Sequence, residues 1–252
     1  MTAIPLKIIA MLAMLCDHCD YLFRLPRWAW YVGRLAFPLY ALMLADSWRH
    51  LKKNPARLKK YILSLAALAL VSEFAYDLAF SGNLFFWGSQ NQILQFLTFV
   101  LAAAAAEKIN SRILRIVLWA AVTALNQFCL MGYLALGIIT LLFMRWYLDR
   151  FEKWSFGKRL LGSSLVMGAY WVGSVLQEMT MYPDMYSYNG VLSRSAVLGG
   201  LRMYSVTLLL IPVIALYNGQ YGNPPKWFRI VYRYFYPAHL LILALITSLI
   251  NR

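Results

Sequence analysis

Charge is what this chain has least of. Only 13% of its 252 residues are Asp, Glu, Lys or Arg, against 62% hydrophobic, and the mean hydropathy is +0.58. That leaves too little polar surface to cover a water-soluble globule, so the composition implies an integral membrane protein. Acidic residues are scarcest, 10 against 24 Lys and Arg. The basic excess is scattered through short loops between apolar runs rather than gathered into one patch, which argues against nucleic acid and marks the cations as orientation signals. Cysteine is too rare for a disulfide framework: Cys16, Cys19 and Cys129 are the whole set. The run Cys16, Asp17, His18, Cys19 lacks the second Cys/His cluster that four-coordinate zinc needs, because the other histidines are His50 and His239, so no metal is expected. The first apolar run has no basic n-region and no Ala-x-Ala-like cleavage site, so it is expected to stay as the first helix. No repeat, linker or low-complexity tract divides residues 1–252, and one transmembrane domain is expected.

Apolar runs of about 20 residues, enough for a hydrocarbon core of about 30 Å, predict an all-α polytopic bundle. Nine spans emerge: 5–23, 28–47, 59–80, 91–106, 112–126, 128–148, 159–179, 195–217 and 236–250. The fourth, fifth and ninth are short, so the expected range is eight to ten. Arg49, Lys52, Lys53, Arg57, Lys59 and Lys60 follow the second span, and Lys108, Arg112 and Arg115 follow the fourth. Arg145, Arg150, Lys153, Lys158 and Arg159 link the sixth to the seventh; Lys226, Arg229 and Arg233 precede the ninth. The alternate connections at 81–90 and near Gln127 carry no Lys or Arg. The positive-inside rule then predicts a cytoplasmic N-terminus and an outer C-terminus, with Arg24 and Arg27 as exceptions.

Against this background the first span is anomalous, because KIIAMLAMLCDHCD holds Lys7, Asp17, His18 and Asp20 within a membrane-length run. An ionisable group at the centre of a span costs roughly 2.5 to 3.5 kcal/mol on insertion scales, which makes such a cluster a functional candidate. Eleven residues separate Lys7 from His18, so at about 100° per residue they share one helical stripe within roughly 20°, about 16 Å apart along the axis. His18 suits acid and base work, since an imidazole titrates near neutrality and a neighbouring carboxylate, Asp17, can orient it. Arg34, Glu73, Asp77 and Asn91 fall at a similar predicted depth, towards the outer face; Glu73 and Asp77 share a helical face one turn apart. Each can equally serve as part of a buried structural network. Lys7, Asp46 and His239 fall towards the cytoplasmic face, and Pro237 in FYPAH is expected to mark a helix start. Arg202, about two turns into the eighth span, either holds an anionic substrate group or pairs with Glu178. The tyrosine-rich stretch 181–190 reads as an interfacial anchor or an acceptor contact.

The Lys7-x10-His18 spacing resembles the Arg/Lys-x10-His pattern of the transmembrane acyltransferase superfamily. The wider text LKIIAMLAMLCDHCD, with VGRLAFPLYALMLAD at 32–46, SEFAYDLAF at 72–80, ALYNGQYG and YRYFYPAHLLIL, is similar to the TraX family, named for a protein that acetylates the N-terminus of conjugative pilin. The resemblance implies a bacterial cytoplasmic-membrane acyltransferase in which His18 activates an amine or hydroxyl, or carries the acyl group. It implies acetyl-CoA as donor, entering from the cytoplasm, and a peptide or glycan acceptor from the other side. Lys7, Arg49, Lys52 and His239 are then the candidates for binding the anionic donor. A proton-coupled secondary transporter would use the same carboxylates and histidine and is the competing expectation.

Overall fold

The computed structural model describes residues 1–188 and 191–250. Helix dominates, as the apolar runs require, and the chain forms two compact units: residues 1–42 with 143–222, and residues 43–142 with 223–252. Neither unit is continuous in sequence.

In the first unit, α1 (Ala3–Phe23) is one unbroken helix ending at Arg24 in the left-handed conformation. The short α2 (Arg27–Gly33) packs against it. The predicted second span does not continue as one helix: it stops at Gly33 and resumes as α3 (Ala36–Leu51), whose residues are divided between the units. Pro38 explains the break, since it has no N–H to bond the Arg34 carbonyl and its ring crowds that carbonyl. Phe151 opens a single 3₁₀ turn, Phe151–Lys153, and α8 (Phe156–Met181) follows. Next come α9 (Pro183–Tyr186) and a two-residue antiparallel pair, β1 (Ser187–Tyr188) with β2 (Val191–Leu192). Asn189 and Gly190, the last residues of the tyrosine-rich stretch, lie outside the described residues. The predicted eighth span is α10 (Arg194–Tyr204), a 3₁₀ stretch Ser205–Leu209 and α11 (Leu210–Ala215), with α10 and α11 lying against α8.

The second unit holds α4 (Pro55–Ser81), α5 (Gln92–Ala106), α6 (Arg112–Phe128), most of α7 (Leu134–Leu148) and α12 (Lys226–Ile250). Asn54 starts α4 by accepting from the Arg57 amide at 3.0 Å, with Pro55 at the first helical position where its missing N–H costs nothing. The sequence reading erred at α12: Pro237 lies inside the helix instead of starting it, and Lys226, Arg229 and Arg233 are helical rather than loop residues. A helix of 25 residues spans about 37 Å, some 7 Å more than the hydrocarbon core, so its cationic first turns can stand in the headgroup region. An interior proline is tolerable in lipid-embedded helices because neighbouring groups re-satisfy the freed carbonyl.

Among the described residues, four stretches are long and apolar enough to cross a membrane: Pro55–Ser81, Phe156–Met181, Arg194–Ala215 and Lys226–Ile250. Their outer faces expose large apolar side chains such as Leu70, Leu165, Leu209 and Leu245. Such stripes are unfavourable in water and neutral in lipid, which identifies a membrane protein. At 15, 17 and 15 residues, α5, α6 and α7 are shorter than the spans predicted for them except α6, and α1 carries more charge than an ordinary span.

Candidate functional site

In the first unit the polar residues of α1 acquire partners. Asp17 Oδ1 accepts from Arg34 Nη2, and the Arg34 guanidinium lies 5.0 Å from the Trp30 ring. Both side chains are about one-fifth exposed, so each charge offsets most of what the other would cost in an apolar setting. The pairing depends on Gly33. A β-carbon there would sit 2.5 Å from Asp17 Oδ1 and 2.8 Å from the Asp17 backbone, so α2 can approach α1 only with glycine at this position. Gly33→Ala is expected to cost about 1 to 3 kcal/mol through overpacking, read as a lowered unfolding midpoint in detergent.

The network extends further than the sequence suggested. Trp30 meets Tyr204 edge-on at 5.3 Å, and Tyr204 Oη donates to Glu178 Oε1 at 2.7 Å. Tyr186 Oη donates to the other carboxylate oxygen at 2.5 Å. Burial first, and then the Glu178 carboxylate, push the Tyr186 phenol upward, so it stays a donor at physiological pH. Glu178 is thus engaged by two tyrosines from α9 and α10, while Arg202, its suggested partner, is exposed. Sequence reasoning missed Tyr186 and Tyr204, because nothing local says that two phenols separated by 18 positions converge on one carboxylate.

His18 is half-buried on α1, eleven positions beyond Lys7, and the unbroken helix keeps both on the expected stripe. Lys7 is buried, at 7% exposure, with its ammonium 4.1 Å from the centre of the Tyr221 ring. Tyr221 belongs to the segment after α11, which pairs with the start of α1: Asn218 N donates to Met1 O and Ala3 N donates to Gln220 O.

In the second unit, Glu73 and Asp77 lie one turn apart on α4, as predicted. Glu73 Oε2 accepts from the backbone N–H of Asn91 at 3.2 Å and from its side-chain amide; that amide also donates to Ala69 O at 3.0 Å. Asn91 is the N-cap of α5, its Oδ1 accepting from Ile93 N at 2.8 Å and Leu94 N at 3.1 Å. Asp77 Oδ2 takes the Phe86 amide at 2.8 Å, holding the 82–90 connection against α4. One turn into α5, Gln95 has no exposed surface and ties five groups together. Its Nε2 donates to Asn126 Oδ1, Met131 O and Leu134 O at 3.2, 3.1 and 2.7 Å; its Oε1 accepts from Tyr133 N at 3.1 Å and Gln92 Nε2 at 2.9 Å. The spacing Asn91 to Gln95 was the available signal, since the two share a helical face.

Two of the donor-binding candidates of this unit, Arg49 and His239, make local contacts. Arg49 lies 3.4 Å from Asp46, with His50 3.8 Å away from the same oxygen. Lys52 follows α3 in a partly exposed turn. His239 is not at a helix start: it lies midway along α12, buried at 5% exposure, with Nδ1 2.7 Å from Phe235 O and its ring stacked on Phe235. Among the described residues no three His, Cys, Asp or Glu side chains gather as metal ligands.

A family model described as "TraX protein" matches residues 4–247, nearly the whole chain. No curated protein matches, and no solved structure does.

Proposed function

The chain belongs to the TraX family, and from that membership we propose that it is an integral membrane acyltransferase that moves an acetyl group from acetyl-CoA to an amine or hydroxyl acceptor. The observation that carries the reading is the placing of a buried lysine and a half-buried histidine on one stripe of one unbroken helix in a TraX chain. His18 takes the proton from the acceptor as its nitrogen or oxygen attacks the thioester carbonyl; the new C–N or C–O bond replaces the C–S bond, and the proton passes to the departing thiolate. Asp17 orients the imidazole while Arg34 holds the carboxylate, and Lys7 binds the anionic end of the donor. The accompanying topology is nine crossings of the bacterial cytoplasmic membrane with the N-terminus in the cytoplasm, so that donor and acceptor arrive from opposite faces.

The test is purified protein incubated with radiolabelled acetyl-CoA and extracts containing peptide or glycan acceptors. Labelled product or released CoA thiol is expected; neither appearing with any acceptor would overturn the reading. Lys7→Ala is expected to raise the KM for acetyl-CoA about tenfold, the worth of a charge-assisted hydrogen bond, with kcat held within about twofold. A second reading, a proton-coupled secondary transporter, draws support from the break between α2 and α3 beside Arg34 and from the 3₁₀ stretch within Arg194–Ala215, because transporters build their sites at interrupted helices. Proton-driven uptake by proteoliposomes, without thioester cleavage, would favour it.

A further inference from the structure

The segment after α11 is held in place from both sides. Its carbonyl at Gln220 and its amide at Asn218 pair with Ala3 and Met1. Gly219 and Gly222 adopt positive φ of 72° and 81°, and a β-carbon at Gly222 would lie 2.8 Å from Ile4 Cδ1. A side chain there would be strained by the positive φ and would press on the end of Ile4, so glycine suits a segment lying against α1. Asn218 is folded back on the same segment, its Nδ2 donating to Gln220 Oε1 at 3.2 Å and its Oδ1 accepting from Gln220 N at 3.1 Å. These bonds set the position of Tyr221, whose ring covers the Lys7 ammonium at 4.1 Å yet leaves the residue 47% exposed.

A tyrosine ring that lies against a buried cation and yet leaves its residue 47% exposed is an unusual thing to keep at the surface. Ordinarily a tyrosine next to an apolar helix would bury its ring and expose its hydroxyl. Here the cation against the ring is itself buried, at 7% exposure, so its charge is little screened by solvent. That combination, a flat π surface beside a positive charge, matches a purine that carries phosphate: the base stacks on the ring, and the phosphate oxygens take the ammonium.

We propose that Tyr221, positioned over Lys7 by the 216–222 segment, is a specificity residue that stacks the adenine of a nucleotide-bearing donor. The inference rests on the donor reading above for its ligand and adds the residue that recognises the ligand's nucleotide end. Lys7 supplies charge, which any anion satisfies; Tyr221 supplies the preference for a base.

The test uses full-length purified protein and adenosine 3′,5′-bisphosphate as the probe, with binding measured by titration calorimetry, so no acyl transfer is needed. Wild-type protein is expected to bind the probe. Tyr221→Phe should bind within about twofold, because stacking needs the ring and not the hydroxyl, whereas Tyr221→Leu and Tyr221→Ala should bind about tenfold more weakly or worse. Leucine keeps the bulk over Lys7, so a folded Tyr221→Leu protein carries the test if the alanine variant fails to fold. Failure of the wild type to bind the probe overturns the inference. So does equal binding by the leucine variant, or displacement by inorganic phosphate at equal concentration, which would mark a bare anion site. Ring-dependent binding without acetyl transfer to any acceptor would sink the acyltransferase reading and leave the stacking role intact.

Discussion

Replacing His18 with alanine is expected to lower acyl transfer by about a hundredfold to ten-thousandfold, the range general acid–base catalysis contributes, while the protein still accumulates in the membrane. The two halves of that statement come from different physics. Removing an ionisable group from α1 makes insertion easier, since the helix also carries Lys7, Asp17 and Asp20. Losing the imidazole removes the group that accepts the acceptor's proton. His18→Gln keeps hydrogen-bonding capacity without titrating near neutrality and should be as inactive as alanine. Initial rates with radiolabelled acetyl-CoA, normalised to membrane-embedded protein, provide the check. Activity within a few-fold of wild type in either variant would remove His18 from the mechanism.

The second large effect concerns stability. Gln95→Leu is expected to destabilise the second unit by about 1 to 3 kcal/mol, because the backbone N–H of Tyr133 loses its acceptor, whereas the Met131 carbonyl keeps the Leu134 amide at 2.8 Å. Membrane settings soften single hydrogen bonds to about 0.6 kcal/mol on average, but here one fully buried side chain serves five groups. Gly137 offers an independent handle: a β-carbon there would lie 2.0 Å from Gln95 Oε1. Gly137→Ala should therefore be nearly as damaging alone. Combined with Gln95→Ala it should add little, since the truncated side chain vacates the space the new methyl needs. Unfolding midpoints in detergent for the two single variants and the double variant give the coupling. Simple additivity would show that Gln95 is not what the methyl meets.

What could be read from the sequence, and what could not, follows the range of the interactions. Asn91 at the start of α5, the shared face of Glu73 and Asp77, and the stripe joining Lys7 to His18 are all local, set by helical repeat and capping chemistry. The all-α membrane architecture was legible for the same reason, since it follows from apolar run length. Pro237 misled because a proline's usual place in a water-soluble helix is the first turn, and lipid-embedded helices relax that rule. The break at Gly33 was hidden because Pro38 acts on the carbonyl four residues earlier, inside a run apolar enough to read as continuous. Glu178 with Tyr204 and Gln95 with Asn126 were out of reach because the partners are 26 and 31 positions apart, and Tyr186 reaches Glu178 only because the chain turns between α8 and α9. Only the fold could pair them.

The first unit draws on residues 1–42 and 143–222, so during synthesis α1 and α2 must wait while some hundred residues of the other unit emerge. At about 5 to 20 residues per second that delay lasts roughly 5 to 20 s. Asp17 and Arg34 are only 17 positions apart and sit on adjacent helices, so their ion pair can close before α8 or α10 exists. The acid and base of this hairpin can therefore be matched before the rest of the first unit is made. Without Arg34, Asp17 would pass that interval uncompensated, and the penalty would fall on newly made chains before it reached finished ones.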